Sequence, residues 1–392
     1  MSIKILHILH DEKFIDGAID TFNSTSVINT YVSIEDTKPF NRIKSHASDV
    51  LIIGRDEILS FIVSGGFQLV AFHTLTRDKY ELVLQIPMHI KILWLAWGYD
   101  LYQTYPTPIL DVDLYKEYTN KYISSLIPKI PIHTQIKRLI KKVIFYSKYK
   151  KLQIEHENFL RKERDIIKKV FERLDYMSTI LPSEYDALCE YPSFTAAYFP
   201  FQYVNREKLE PKWISADANK ILLGNSATAT NNHLDIIIKL SRENILNECI
   251  VPCSYGDFDY RDYLVRTVED KSNIYLVRDY MPFADYIQML RSCRAGIFGH
   301  IRQQAIGNVL FCMLQGSKIF LYKDSVAYKY FKKAGYIIFS IEDDLSNDSV
   351  NQLLTDEERN INATKILNQF AYKNVVERLD RFLKNINESL EI

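Results

Sequence analysis

Several things are missing from these 392 residues, and each absence closes off a class of protein. A G-x-G-x-x-G turn after an early strand would mark a dinucleotide site. The first apolar run ends instead in His10-Asp11-Glu12, which weighs against a nicotinamide oxidoreductase or an epimerase of that build. The cysteines are Cys189, Cys249, Cys253, Cys293 and Cys312, an odd set without a tight pair. That is no disulfide framework, and it fits a reducing compartment. No metal motif stands out, so no metal site is expected. The string Asp111-Val112-Asp113 reads as an ordinary acidic loop. No apolar stretch is long enough to cross a bilayer. The opening MSIKILHILHD has too short an apolar run for a signal peptide. The 49 basic and 49 acidic residues cancel, which removes any global-charge argument for nucleic acid. A cytoplasmic protein with at most peripheral membrane contact is expected.

What is present is an ordinary globular composition, 47% hydrophobic and 25% charged, rich in Tyr and Phe. The length suggests two domains. Short apolar runs recur through the first half at Lys4 to His10, Thr30 to Ile34, Val50 to Gly54, Leu69 to His73 and Ile92 to Trp97. The second half repeats the alternation at Ile221 to Leu223, Cys249 to Pro252, Ile274 to Val277, Gly296 to Phe298, Lys318 to Tyr322 and Ile337 to Ser340. Such spacing predicts βα units and parallel sheets. The boundaries expected are a first domain over 1–205, a second over 206–375, and a terminal helix over 376–392 that packs across both. Two Rossmann-like domains facing across a cleft, a GT-B-like α/β architecture, is the expected fold.

Two strand-to-helix junctions carry the chemistry. In Ile221-Leu222-Leu223-Gly224-Asn225-Ser226 an apolar strand runs into a tight polar turn. In the second, Gly299 ends a strand, and His300, Arg302, Gln303 and Gln304 lead into the small-residue helix start Ala305-Ile306-Gly307-Asn308. A helix N-terminus offers unpaired N–H groups and the positive end of its dipole, which suits phosphate. The Arg302 guanidinium matches phosphate oxygens as a planar fork. Both turns should lie at the carboxyl edge of one sheet, where open α/β folds bind ligands.

The ordered set Gly224-Asn225-Ser226, Val251 to Gly256 (VPCSYG), Tyr280 to Phe283 (YMPF), Asp285-Tyr286 and Arg302 to Asn308 (RQQAIGN) resembles a family of bacterial enzymes. These are the TDP-N-acetylfucosamine:lipid II N-acetylfucosaminyltransferases, also described as 4-α-L-fucosyltransferase-like. His7 to Phe14 (HILHDEKF) and Trp94 to Tyr102 (WLAWGYDLY) are islands of similarity in the first half. The resemblance implies a hexosyltransferase that moves a deoxy-amino sugar from a TDP-sugar donor to a polyprenyl-diphosphate-linked saccharide in cell-surface polysaccharide synthesis. It implies no cofactor beyond that donor, and no nucleic acid partner.

Transfer requires a stabilised leaving diphosphate, an activated acceptor hydroxyl and in-line alignment. Donor binding is expected from Gly224, Asn225, Ser226, Tyr255, Gly256, His300, Arg302, Gln303, Gln304, Gly307 and Asn308. The general base is sought in the first domain among Asp100, His73 and Asp11, each placed after an apolar strand. Trp97 with Gly98 is a candidate sugar platform. The segment TQIKRLIKKVIFYSKYKK, residues 134–151, sets an apolar helical face beside Lys137, Arg138, Lys141 and Lys142. Such a pattern suits an anionic membrane surface at the inner face of the cell membrane. Two other readings stay open: a membrane-associated scaffold of a polysaccharide assembly complex, and a sugar-nucleotide-modifying enzyme.

Overall fold

The structure is a computed structural model, and it describes residues 3–34, 36–102, 108–126, 146–204 and 209–390. The basic stretch with Lys137, Arg138, Lys141 and Lys142 lies outside the described residues. The chain divides into two compact units. Unit 1 comprises 1–111, 127–207 and 372–392, and unit 2 comprises 112–126 and 208–371.

In unit 1 the order is β1 (Lys4–Ile8), α1 (Ile15–Asn23), β2 (Ile28–Ser33), β3 (Val50–Ile52), β4 (Leu69–His73) and β5 (Lys91–Leu95). The chain then contributes α2 (Glu117–Leu126) to unit 2 and returns with α3 (Tyr146–Arg173), β6 (Tyr176–Ser178) and β7 (Ala197–Tyr198). The sheet order is β3-β2-β1-β4-β5-β6-β7, and every pairing is parallel. Strands covered on both faces read as continuous apolar runs, as in the fully buried LVAFH of β4.

Unit 2 repeats the plan with β8 (Lys220–Leu223), α4 (His233–Arg242), β9 (Cys249–Pro252), α5 (Phe258–Thr267), β10 (Ile274–Val277), α6 (Phe283–Arg291), β11 (Cys293–Phe298), α7 (Ile306–Leu314), β12 (Lys318–Leu321) and β13 (Phe339–Ser340). Its order is β10-β9-β8-β11-β12-β13, again all parallel. Counted within each unit, the first six strands of both sheets run 3-2-1-4-5-6. The strand order therefore reverses between β1 and β4 in unit 1 and between β8 and β11 in unit 2. Ligands bind outside the carboxyl ends of strands at such a reversal.

Two boundaries differ from the sequence expectation. Residues 112–126 join unit 2, because the Asp235 carboxylate of α4 accepts the amides of Tyr118 and Thr119 at the start of α2. At the chain end, α8 (Asp356–Phe370) closes unit 2, and α9 (Tyr372–Leu390) returns to unit 1. There Leu379, Leu383 and Ile386 join Ile5, Phe22 and Leu93 in one apolar cluster.

Candidate functional site

The reversal in unit 2 places the two predicted junctions side by side. Leu223 of β8 is in register with Ile297 of β11, and the Gly224 amide donates to the Ile297 carbonyl at 2.9 Å. The turns that follow must therefore meet. His300 Nε2 lies 2.7 Å from Asn231 Oδ1 and 3.1 Å from Asn225 Oδ1. Gln304 Nε2 donates to Asn225 Oδ1 at 3.1 Å and to Thr228 Oγ1 at 3.2 Å, while its Oε1 accepts from Thr230 Oγ1 at 2.8 Å. Asn225 Nδ2 in turn donates to the Tyr255 hydroxyl at 2.8 Å, which ties in the turn after β9.

Asn231 is the keystone of this knot. Its Nδ2 donates to the Ser226 and Thr228 carbonyls, so its Oδ1 must be the atom facing the Asn225 amide and His300. Two carbonyl acceptors at His300 Nε2 require the proton there. The other ring nitrogen, Nδ1, is buried with no hydrogen-bond partner among the described residues. Burial, then the nearby Arg302 charge, hold the His300 pKa well below the ordinary value, so the ring is neutral.

Backbone conformation follows from this crowding. Gly224 has φ +68°, and a Cβ there would lie 2.5 Å from Asn231 Oδ1 and 2.7 Å from His233 Nε2. Gly256 has φ +116°, and its Cβ would meet the Ala227 carbonyl oxygen at 2.6 Å, where the turns after β8 and β9 bridge. Only glycine fits either place without strain.

Helix α7 begins beside the knot. Its N-cap Ala305 sits at φ 57° and supplies no side-chain cap. The N–H groups of the first turn thus keep their capacity for an anion. A Cβ on Gly307 would meet nothing within 4 Å, so this part of the helix start faces open space. Asn308 is tied by its Nδ2 to the Tyr286 hydroxyl at 2.7 Å. Arg302 is half-buried and donates to the Gln303 carbonyl at 3.0 Å, while the Gln303 side chain is buried. Gly224, Asn225, Ser226, Tyr255, Gly256, His300 and Gln304 thus stand at one knot, and Arg302, Gln303, Gly307 and Asn308 are at the adjoining α7 start. The sequence reading passed over Thr228, Thr230, Asn231 and His233, which lie in a polar stretch with no signal of its own.

The expected bases of unit 1 each have partners within the fold. Asp100 is fully buried, and its carboxylate accepts from Leu75 N at 3.1 Å, Trp94 Nε1 at 2.8 Å and Trp97 N at 2.9 Å. It braces the loops after β4 and β5. His73 is buried with both ring nitrogens engaged, Nε2 by His7 and Nδ1 by Tyr203. Asp11 is half-buried and receives the amides of Asn41, Arg42 and Ile43. Burial pushes its pKa up, but those amides outweigh it and lower the pKa, which makes Asp11 a weaker base. Of the acidic string, Asp113 accepts the Tyr115 amide.

The fold and its polar turn define a class, the GT-B glycosyltransferases. Alr3699/HepE from Anabaena, solved with UDP and glucose, is similar at 11% identity and TM-score 0.58 over 98% of this chain and 99% of that one. The N-terminal domain of trehalose-6-phosphate phosphatase from Candida albicans aligns at 10% identity and TM-score 0.59 over 100% and 98%. AviGT4, a glycosyltransferase of avilamycin A biosynthesis, aligns at 8% identity and TM-score 0.50 over 99% and 98%. At such identities the likeness is one of fold. The particular family comes from the sequence. Residues 184–376 match the model of 4-alpha-L-fucosyltransferase, glycosyl transferase group 56. It is a fucosyltransferase-like glycosyltransferase.

Proposed function

We propose that the protein transfers a deoxy-amino sugar, N-acetylfucosamine-like, from a TDP-sugar to a polyprenyl-diphosphate-linked saccharide in cell-surface polysaccharide synthesis. The observation that carries this reading is the meeting of the two polar turns at the strand reversal of unit 2. That arrangement sets a helix start without a side-chain cap next to Arg302. A nucleoside diphosphate laid on the α7 start would have its growing negative charge met by main-chain amides and a guanidinium as the glycosidic bond breaks. Charge met this way needs no resident cofactor. The open space at Gly307 leaves room for phosphate oxygens to approach the backbone.

The lipid-linked acceptor and a peripheral place at the inner membrane face rest on the family and on the basic sequence around Lys137, Arg138, Lys141 and Lys142. Among the described residues no helix is long and apolar enough to cross a membrane. Binding to vesicles with anionic headgroups that falls with ionic strength is expected, and salt-independent binding would count against it.

The central test is a screen of TDP-, UDP- and GDP-sugars for transfer and for slow hydrolysis. TDP-sugar turnover is expected, with a loss of ~100-fold or more in Arg302→Ala. Absence of turnover together with no thermal shift on TDP addition would remove the reading.

A further inference from the structure

A chain of hydrogen bonds runs through unit 1 from its interior to its carboxyl edge. Asn29 Oδ1 lies 3.0 Å from His7 Nε2, and His7 Nδ1 lies 3.1 Å from His73 Nε2. His73 Nδ1 lies 3.0 Å from the Tyr203 hydroxyl, which receives Trp97 Nε1 at 2.6 Å. Both ends are fixed. An indole N–H can only donate. At the far end Asn29 Nδ2 donates to the Phe22 carbonyl, so Oδ1 is the atom turned to His7.

Only one arrangement of protons then satisfies every link. Trp97 donates to Tyr203, Tyr203 donates to His73 Nδ1, His73 donates from Nε2 to His7 Nδ1, and His7 donates from Nε2 to Asn29. Both imidazoles are neutral and carry their proton on Nε2. Burial lowers the His7 pKa to about 4 and the His73 pKa well below the ordinary value, which agrees with that state.

The chain ends at an aromatic surface. Trp97 is half-buried, and its ring centroid lies 5.6 Å from that of Phe14, which is 43% exposed. Lys13 Nζ stands 4.9 Å from the Phe14 ring centre. Arg42 is near enough for its charge to add to burial in lowering the Lys13 pKa. Aromatic faces suit the apolar face of a pyranose. Directly after β4, Thr74 holds φ 91°, a strained value for a β-branched residue at the strand reversal.

We infer that Trp97 and Phe14 form the platform for the acceptor saccharide, and that Tyr203 is a positioning residue that sets the Trp97 indole through the one-way chain to His7. This rests on the transferase reading, and deepens it by naming where the diphosphate-linked saccharide sits.

The test uses the full chain with TDP-sugar and a water-soluble farnesyl-diphosphate-linked disaccharide. In Trp97→Ala and in the milder surface change Phe14→Ala, KM for the disaccharide rises about tenfold while KM for the donor holds. Tyr203→Phe raises it several-fold, and that rise vanishes when Trp97 is already Phe, since no indole N–H then needs an acceptor. An effect of Tyr203→Phe that persists in the Trp97→Phe background is merely structural and overturns the positioning role. Unchanged acceptor KM in Trp97→Ala and Phe14→Ala, with donor turnover intact, overturns the platform and leaves the transferase reading standing. Failure of the wild-type protein to turn over any nucleotide sugar overturns both. Nitrogen NMR of the histidines checks the chain separately: His7 and His73 show the Nε2–H form at neutral pH, and an Nδ1–H form in either overturns the direction assigned.

Discussion

At the scale of single residues, two glycines of one site separate binding from folding. Gly307→Ala places its methyl in open space on a helix, so the melting temperature should hold or rise slightly. If a diphosphate approaches the α7 start, the same methyl stands in its way, and donor KM should rise about tenfold or more. Gly224→Ala should behave in the opposite sense. Its methyl would drive into Asn231 and His233 at a left-handed φ, so stability itself should fall, by about 2 kcal/mol or more. Differential scanning fluorimetry beside donor kinetics distinguishes the two. Equal effects of both variants on stability would contradict the geometry.

Single charges can be read through pH. Burial pushes the His46 pKa down, but hydrogen bonds to the Asp49 and Asp20 carboxylates outweigh it and raise the pKa above 6.5. A group whose folded pKa is raised lends stability that is full below its unfolded pKa and is lost as pH climbs through the folded value. The melting temperature gap between wild type and His46→Gln should therefore be wider at about pH 6 than at about pH 8. A gap that widens upward in pH would reverse the assignment.

At the scale of elements, the stretch between β2 and β3 is held to the first βα turn by carboxylates. Asp11 receives three amides from residues 41–43, and Asp16 receives those of Lys44, Ser45 and His46. Asp11→Ala should cost about 1–2 kcal/mol after allowance for solvent at its exposed partners. Because the folded pKa of Asp11 is depressed, its contribution is present above the ordinary value of 3.8 and fades as pH falls through the folded value. An Asp11→Ala protein whose deficit persists unchanged in acid would refute this.

Elements were legible in the sequence where burial on both faces wrote them as apolar runs. Every run expected as a strand overlaps one, from LVAFH of β4 to KIFL of β12. β6 and β7 were not legible, since YMS and AY are too short and mixed to show a pattern. The Gly224 and His300 turns were legible because each breaks an apolar run with a polar cluster. Asn231 was not, since its role comes from contact with His300 across 69 residues of chain. The inward partners of Asp100 and His73 were not legible for a related reason. A polar residue at the end of a strand reads the same whether it faces a crevice or turns inward to accept amides.

At the scale of the whole molecule, neither unit is a continuous piece of chain. Unit 1 needs its last helix: α9 supplies Leu379 and Leu383, both fully buried, to the cluster that includes Ile5 and Phe22. Asp380 ties it down further by accepting from the Ser26 amide and hydroxyl. Unit 2 is complete by Ala371, and its donor knot takes nothing from α9. Deleting residues 372–392 should therefore unfold unit 1 selectively. The unfolding transition of unit 1 should be lost while a TDP-dependent thermal shift persists. The point change Leu383→Ala should act in the same direction, at about 2–5 kcal/mol. If truncation abolished TDP binding and left the unfolding transition of unit 1 in place, the assignment of α9 to unit 1 would be wrong, and the terminal helix would belong with the half of the chain that carries the family's segment.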